Sequence, residues 1–95
     1  MMYLIGTEEQ RERFADENRI PYFEREEYRD PDMVVKSNHD DEKAALVVNI
    51  LEEPLYTVQV MGEEGGVESE TDYQDYERAL AAYEAHQAHG AREGR

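Results

Sequence analysis

Ala44-Ala45-Leu46-Val47-Val48-Asn49-Ile50-Leu51 supports two readings, and the fold class turns on which one holds. As a helix, Ala44, Val47, Val48 and Leu51 fall at i, i+3, i+4 and i+7 and make one apolar stripe. As a strand, Ala44, Leu46, Val48 and Ile50 line one face, and the β-branched residues of the run suit a pleated surface. The neighbouring run favours the strand. Leu55 to Met61 sets Tyr56, Val58 and Val60 on one side and Leu55, Thr57, Gln59 and Met61 on the other, after a gap of hairpin length.

Toward the C-terminus, Gly62 to Gly66 (GEEGG) reads as a turn and Val67 to Glu70 as a short last strand. Thr71-Asp72-Tyr73-Gln74 has the spacing of a capping box. Tyr73, Tyr76, Leu80, Tyr83 and Gln87 then follow a helical stripe, with Ala79, Ala81, Ala82 and Ala85 beside them. The expected helix stops near His89, where Gly90 supplies the C-cap, and residues 91–95 form a frayed tail.

Toward the N-terminus, Asn38-His39-Asp40-Asp41 is turn chemistry and Met33 to Lys36 is strand-like. Glu24 to Asp32 (EREEYRDPD) lacks periodicity and reads as a loop with Tyr28 as its anchor, while Ile20 to Phe23 is a candidate second strand that Pro21 confines to an edge or a strand start. Thr7-Glu8-Glu9-Gln10 is a capping box opening a helix from about Glu8 to Glu17, with Asn18 as its stop. Tyr3-Leu4-Ile5 is a short buried strand closed by Gly6. The expectation is one α+β domain over residues 1–90: a small antiparallel β-meander covered on one face by a C-terminal helix, with an N-terminal strand–helix unit.

Three strands and an Ala-rich helix in this order resemble, in topology alone and over about forty-five residues, HicB-type antitoxins and double-stranded-RNA-binding domains. The Gly- and Pro-bearing strand motif of the former is missing. The basic helix start of the latter is replaced by Asp72 and Asp75, which argues against RNA.

Charge is the strongest functional signal. Net charge is −14, and between Asn38 and Glu77 twelve carboxylates meet a single base, Lys43. Such a surface is repelled by phosphate backbones and anionic lipid, so neither nucleic acid nor membrane is an expected direct partner. The absence of cysteine excludes disulfides, thiol catalysis and Cys-ligated zinc. No apolar run reaches the ~20 residues of a membrane span, and Met1 to Ile5 is too short and uncharged for a signal peptide, so a cytoplasmic location is expected. Phosphate loops, HExxH and nucleophile elbows are missing, and neither Ser37 nor Ser69 has a local activating partner; no enzymatic role and no cofactor are expected.

A meander places alternate turns at one end of its sheet, which would gather Asp40, Asp41 and Glu42 near Glu63 and Glu64. Glu68 and Glu70 share a strand face, and Asp72 and Asp75 extend the negative surface into the last helix. Crowded like charges cost stability, so a surface that keeps them suits a positive counterpart. The expected function is a small acidic inhibitor that masks the basic, nucleic-acid-binding surface of a target protein. Tyr22 and Tyr28 are its candidate aromatic anchors, and Tyr56, Tyr73, Tyr76 and Tyr83 are assigned to the core. Inhibitors carried by phages or mobile elements, including those directed at defence systems, share this short, acidic, motif-free character.

Two alternatives stand beside it. One is an accessory domain of a salt-adapted organism whose acid serves solvation, which the excess of Arg over Lys also fits. The other is a weak divalent-cation module using Asp40, Asp41, Glu42, Glu63 and Glu64 as oxygen ligands. His86 and His89, with His39 elsewhere, are better explained as partners of a helix C-terminus than as metal ligands. A homodimer formed by sheet extension at Ile20–Phe23 or Met33–Lys36 is a further option.

Overall fold

The computed structural model describes residues 1–33, 43–62 and 66–93, with side chains to residue 87. Residues 44–51 resolve in favour of the strand. Five strands, β1 (Met2–Ile5), β2 (Arg25–Tyr28), β3 (Ala44–Asn49), β4 (Leu55–Met61) and β5 (Val67–Tyr73), form one sheet in the order β2-β1-β3-β4-β5. Helices α1 (Glu8–Glu17) and α2 (Tyr76–Glu93) complete the α+β fold. β3, β4 and β5 are the expected antiparallel meander, whereas β1 runs parallel to both β2 and β3.

Alternation along these strands separates two faces. The first carries Met2, Leu4, Ala44, Leu46, Val48, Tyr56 and Val58, and packs against Ala15 of α1 and Ala79 and Tyr83 of α2. Phe14, Tyr56 and Tyr76 meet there, with Phe14 and Tyr76 edge to face at 5.0 Å between ring centroids. Tyr56 and Tyr83 are buried, and Tyr73 and Tyr76 pack against the same core. The four tyrosines assigned to the core are therefore in it. On the second face, Tyr3, Ala45 and Met61 make a smaller cluster with Tyr28, Val47 and Val67 against it.

The β1-to-β2 connection is a parallel crossover that carries α1. α1 lies on the first face, and Pro31 and Asp32, early in the β2-to-β3 connection, stand beside Ile5, Val47 and Thr57 on the second.

Several sequence expectations are corrected. Ile20–Phe23 is not a strand: Ile20 is a core anchor, and Tyr22–Glu24 form a 3-10 turn in which Glu24 N–H donates to the Pro21 carbonyl at 3.1 Å. Glu24–Asp32 is not a loop throughout, because Arg25–Tyr28 pairs along the outer edge of β1. That strand lacks hydrophobic periodicity because an edge strand needs little burial, and charge on an edge discourages further pairing. Met33 belongs to a second 3-10 turn, Pro31–Met33, and residues 34–42 lie outside those described. The dimer edges expected at Ile20–Phe23 and Met33–Lys36 thus have no strand behind them among the described residues; the sheet edges are β2 and β5.

The first capping box is confirmed: Thr7 Oγ1 accepts from Gln10 N–H, and Gln10 Oε1 accepts from Thr7 N–H. The second is not. Thr71–Tyr73 stay in β5, since Tyr73 pairs with Tyr56, and Asp75 opens α2 by accepting from the Glu77 N–H at 3.3 Å. Pairing of Thr71, Asp72 and Tyr73 with β4 here outweighs the local cap signal. α2 also continues through Gly90 to Glu93 and does not stop at His89. At the other end of β1, a Cβ on Gly6 would stand 3.0 Å from both Ile50 Cγ1 and Gln10 Oε1, a close approach that favours glycine.

β3 extends past β1 at its start, leaving the Ala44 amide beyond the reach of β1. Gln87 of α2 supplies the acceptor: its Oε1 takes the N–H of Lys43 and of Ala44, both at 3.2 Å, while its Nε2 donates to the Tyr83 hydroxyl. Gln87→Leu keeps the bulk and removes these bonds. It should lower unfolding stability by about 1–3 kcal/mol, the cost of an unsatisfied buried amide, read as a fall in the urea midpoint; an unchanged midpoint would deny the tie between α2 and β3.

Candidate acidic edge

β5 is the outermost strand on the meander side, and Glu68, Glu70 and Asp72 along it are exposed. Its register sets Glu70 opposite Gln59 and Asp72 opposite Thr57, on the second face. Two neutral donors orient these carboxylates: Thr57 Oγ1 donates to Asp72 Oδ1 at 2.8 Å and Gln59 Nε2 to Glu70 Oε1 at 3.3 Å. Gln59 is only 2% exposed, so the amide that positions Glu70 is itself held rigidly. Glu68 is the extra residue of a β-bulge, where Val60 and Met61 face Ser69 and Val67.

The hydrogen-bond phase of β5 follows from β4. Met61 N–H donates to the Lys43 carbonyl, so Leu55, Thr57, Gln59 and Met61 turn their amides toward β3. Tyr56, Val58 and Val60 then turn theirs toward β5, where Tyr73, Thr71 and Ser69 return the bonds. The amides and carbonyls of Glu70 and Asp72 consequently point away from β4.

Further carboxylates extend the row. Asp75 follows β5 at the start of α2, with Arg78 Nε 3.9 Å away. Its charge, after burial, helps to push the Tyr56 phenol above its usual pKa. Glu52 and Glu53, both exposed, lie in the β3–β4 connection at this same end of the sheet. The expected acidic surface did not include these two; the missing signal was that β5 runs on to Tyr73 and so ends beside their turn. Asp40, Asp41, Glu42, Glu63 and Glu64, the other half of the expected surface, lie outside the described residues.

The two aromatic candidates do not join this edge. β2 sits at the opposite side of the sheet, four strand spacings or about 19 Å from β5. Tyr22 there is 79% exposed, with the Arg25 guanidinium carbon 3.9 Å from its ring centroid. Phe23, equally exposed, was not singled out in the sequence because a strand through Ile20–Phe23 gave it no special place. Tyr28 is half-buried, stacked on Tyr3 at 6.4 Å and hydrogen-bonded to Glu26.

Among the described residues no group of three or more His, Asp or Glu is placed to hold a metal ion, and no helix is long and apolar enough to cross a membrane. A cleft of about 510 Å³ lies between Ile20, Glu24 and the Tyr76–Gln87 face of α2, and another of about 410 Å³ lies on the second face beside Glu70. Compared with protein-family models, characterised proteins and solved structures, the chain matches none.

The Tyr28 phenol is pushed up to about 12, first by its hydrogen bond to the Glu26 carboxylate, then by burial and the Glu26 charge. A raised tyrosine pKa favours the folded state below the ordinary value near 10, and this contribution fades as pH climbs from 10 to 12. Ultraviolet titration should find Tyr28 among the late-ionising tyrosines, beside Tyr56 and Tyr76, and Glu26→Gln should shift one of these back toward 10; no shift in that variant would remove Glu26 as the cause.

Proposed function

We propose that this protein is a binding protein that presents the β5 edge to a positively charged surface on a nucleic-acid-handling protein and so blocks that surface. The observation that carries the reading is the row from Glu68 to Asp72 on an edge strand, with two of its carboxylates oriented by Thr57 and Gln59. Regularly spaced negative charge on an extended backbone is the feature that a nucleic-acid-binding surface is built to meet. Orientation in advance also lowers the ordering cost of binding, which indifferent solubilising charge has no need to do. Charge of this kind acts at a distance, accelerating encounter and excluding acidic partners.

The test is a salt-dependent capture. Immobilised protein should retain a basic protein at low ionic strength, release it at high salt, and lose it to added duplex DNA. Affinity should fall by about tenfold or more as screening shortens the reach of the charges. The triple variant Glu68→Lys, Glu70→Lys, Asp72→Lys should fold and fail to retain it. Equal retention by that variant would refute the proposal, and a fold that forms only in molar salt would favour acidity as solvation.

A further inference from the structure

We infer that the protein has a second docking surface, made of Tyr22, Phe23 and the cleft beside them, and that its occupant is a protein segment carrying both apolar and basic side chains. This surface lies on the β2 side of the sheet, away from β5, and does not depend on the acidic edge. Tyr22 and Phe23 are each 79% exposed. Two large aromatic side chains set side by side in water form the kind of patch that marks a contact surface, and tyrosine is enriched among residues that dominate binding. The patch is held in shape before any contact. The Glu24 N–H donates to the Pro21 carbonyl at 3.1 Å, the Arg25 N–H donates to the Tyr22 carbonyl, and the Arg25 guanidinium carbon stands 3.9 Å from the Tyr22 ring centroid. Such restraint lowers the ordering cost of binding.

The same turn borders the cleft of about 510 Å³, to which Pro21 and Glu24 both contribute. Ile20, Pro21 and Leu80 give it apolar walls, and its charged residues are two carboxylates, Glu24 and Glu84, against one base, Arg19. Glu24 is shared with the N-terminal ammonium at 3.9 Å, so Glu84, exposed on α2, is the stronger partner for an incoming cation. The Glu84 charge is felt inside the cleft: after burial, it helps to push the Tyr76 phenol above its usual pKa. Apolar walls with a carboxylate at the mouth suit a side chain that is aliphatic along its stem and cationic at its tip. Arginine fits best, because its guanidinium also stacks on aromatic faces, as Arg25 does on Tyr22. Apolar neighbours of that arginine would then cover Tyr22 and Phe23. A second copy of this chain is a poor occupant, since two molecules of net charge −14 repel one another.

Two synthetic peptides of equal length and equal arginine content test the inference, one combining Arg with Leu and the other Arg with Ser. Titrated into isotope-labelled protein, the Arg-Leu peptide should bind about tenfold more tightly. It should shift the amides of residues 20–25, Leu80 and Glu84. Phe23→Ser removes an exposed ring and should weaken that peptide about tenfold, its fold being checked by the amide spectrum. Glu84→Gln should weaken it about threefold, the ordinary worth of an exposed ion pair. Sedimentation of the protein alone should show a monomer.

Equal affinity for the two peptides, no binding of either, or unchanged binding by Phe23→Ser or Glu84→Gln would overturn the inference. Shifts confined to residues 67–73 would overturn it and leave the acidic edge standing. A dimer that Phe23→Ser dissociates would also overturn it, with a second copy as the occupant. If Phe23→Ser fails to fold, the peptide comparison and the shifts in the unaltered protein decide.

Discussion

The structure depends on β3 having a partner on each side. β1 pairs with it in parallel through Met2↔Leu46 to Ile5↔Asn49, and β4 in antiparallel fashion through Ala44↔Val60 to Asn49↔Leu55. Ala44, Ala45, Leu46 and Val48 are therefore fully enclosed, with helices on one face and the Tyr3–Met61 cluster on the other. An all-apolar run bordered by turns is what such a central strand requires. The same run is why residues 44–51 fit a helical stripe equally well, since burial on both faces erases the alternation that separates the two periods. Gln87 then ties the start of this strand to α2, linking the two halves of the chain.

From that centre the sheet grows outward to two edges of different character. On one side, α1 returns the chain to pair β2 with β1, ending in an edge that displays Tyr22 and Phe23. On the other, the meander ends in β5, whose burial falls away as its carboxylates accumulate. A central strand can be held by apolar contact alone, whereas an edge must also be defended against pairing with other chains. The distribution of charge along this sequence follows that division. Almost no charge falls in β1, β3 and β4, and it is dense in β2 and β5.

What could be read from the chain was whatever local chemistry determines. Thr7 and Gln10 announced α1, the alternation of Leu55–Met61 announced β4, and the tyrosine–alanine stripe announced α2. β2 could not be read, because Arg-Glu-Glu-Tyr owes its conformation to the open side of β1 and not to its own pattern. Thr71–Gln74 misled for the same reason: the backbone of Tyr73 was claimed by Tyr56, fifty-sixth in the chain and beyond any local window. For the acidic edge, Glu68 and Glu70 followed from alternation, whereas Asp72, expected at the start of the last helix, belongs to β5. Their orientation by Thr57 and Gln59 depended on a cross-strand register that no single strand encodes. The separation of Tyr22 from this edge likewise required the strand order.

The claim on which this account rests is that β5 is held to β4 through Ser69, Thr71 and Tyr73 and turns the residues between them away from β4. Amide hydrogen exchange of the isolated protein, resolved residue by residue, tests it most directly. Ser69, Thr71 and Tyr73 should be protected, because they donate to β4, while the outward amide of Asp72 should exchange faster than its neighbours. Uniform protection from Ser69 to Tyr73 would mean that the edge is already paired, and uniform exchange would mean that β5 is not a strand of this sheet.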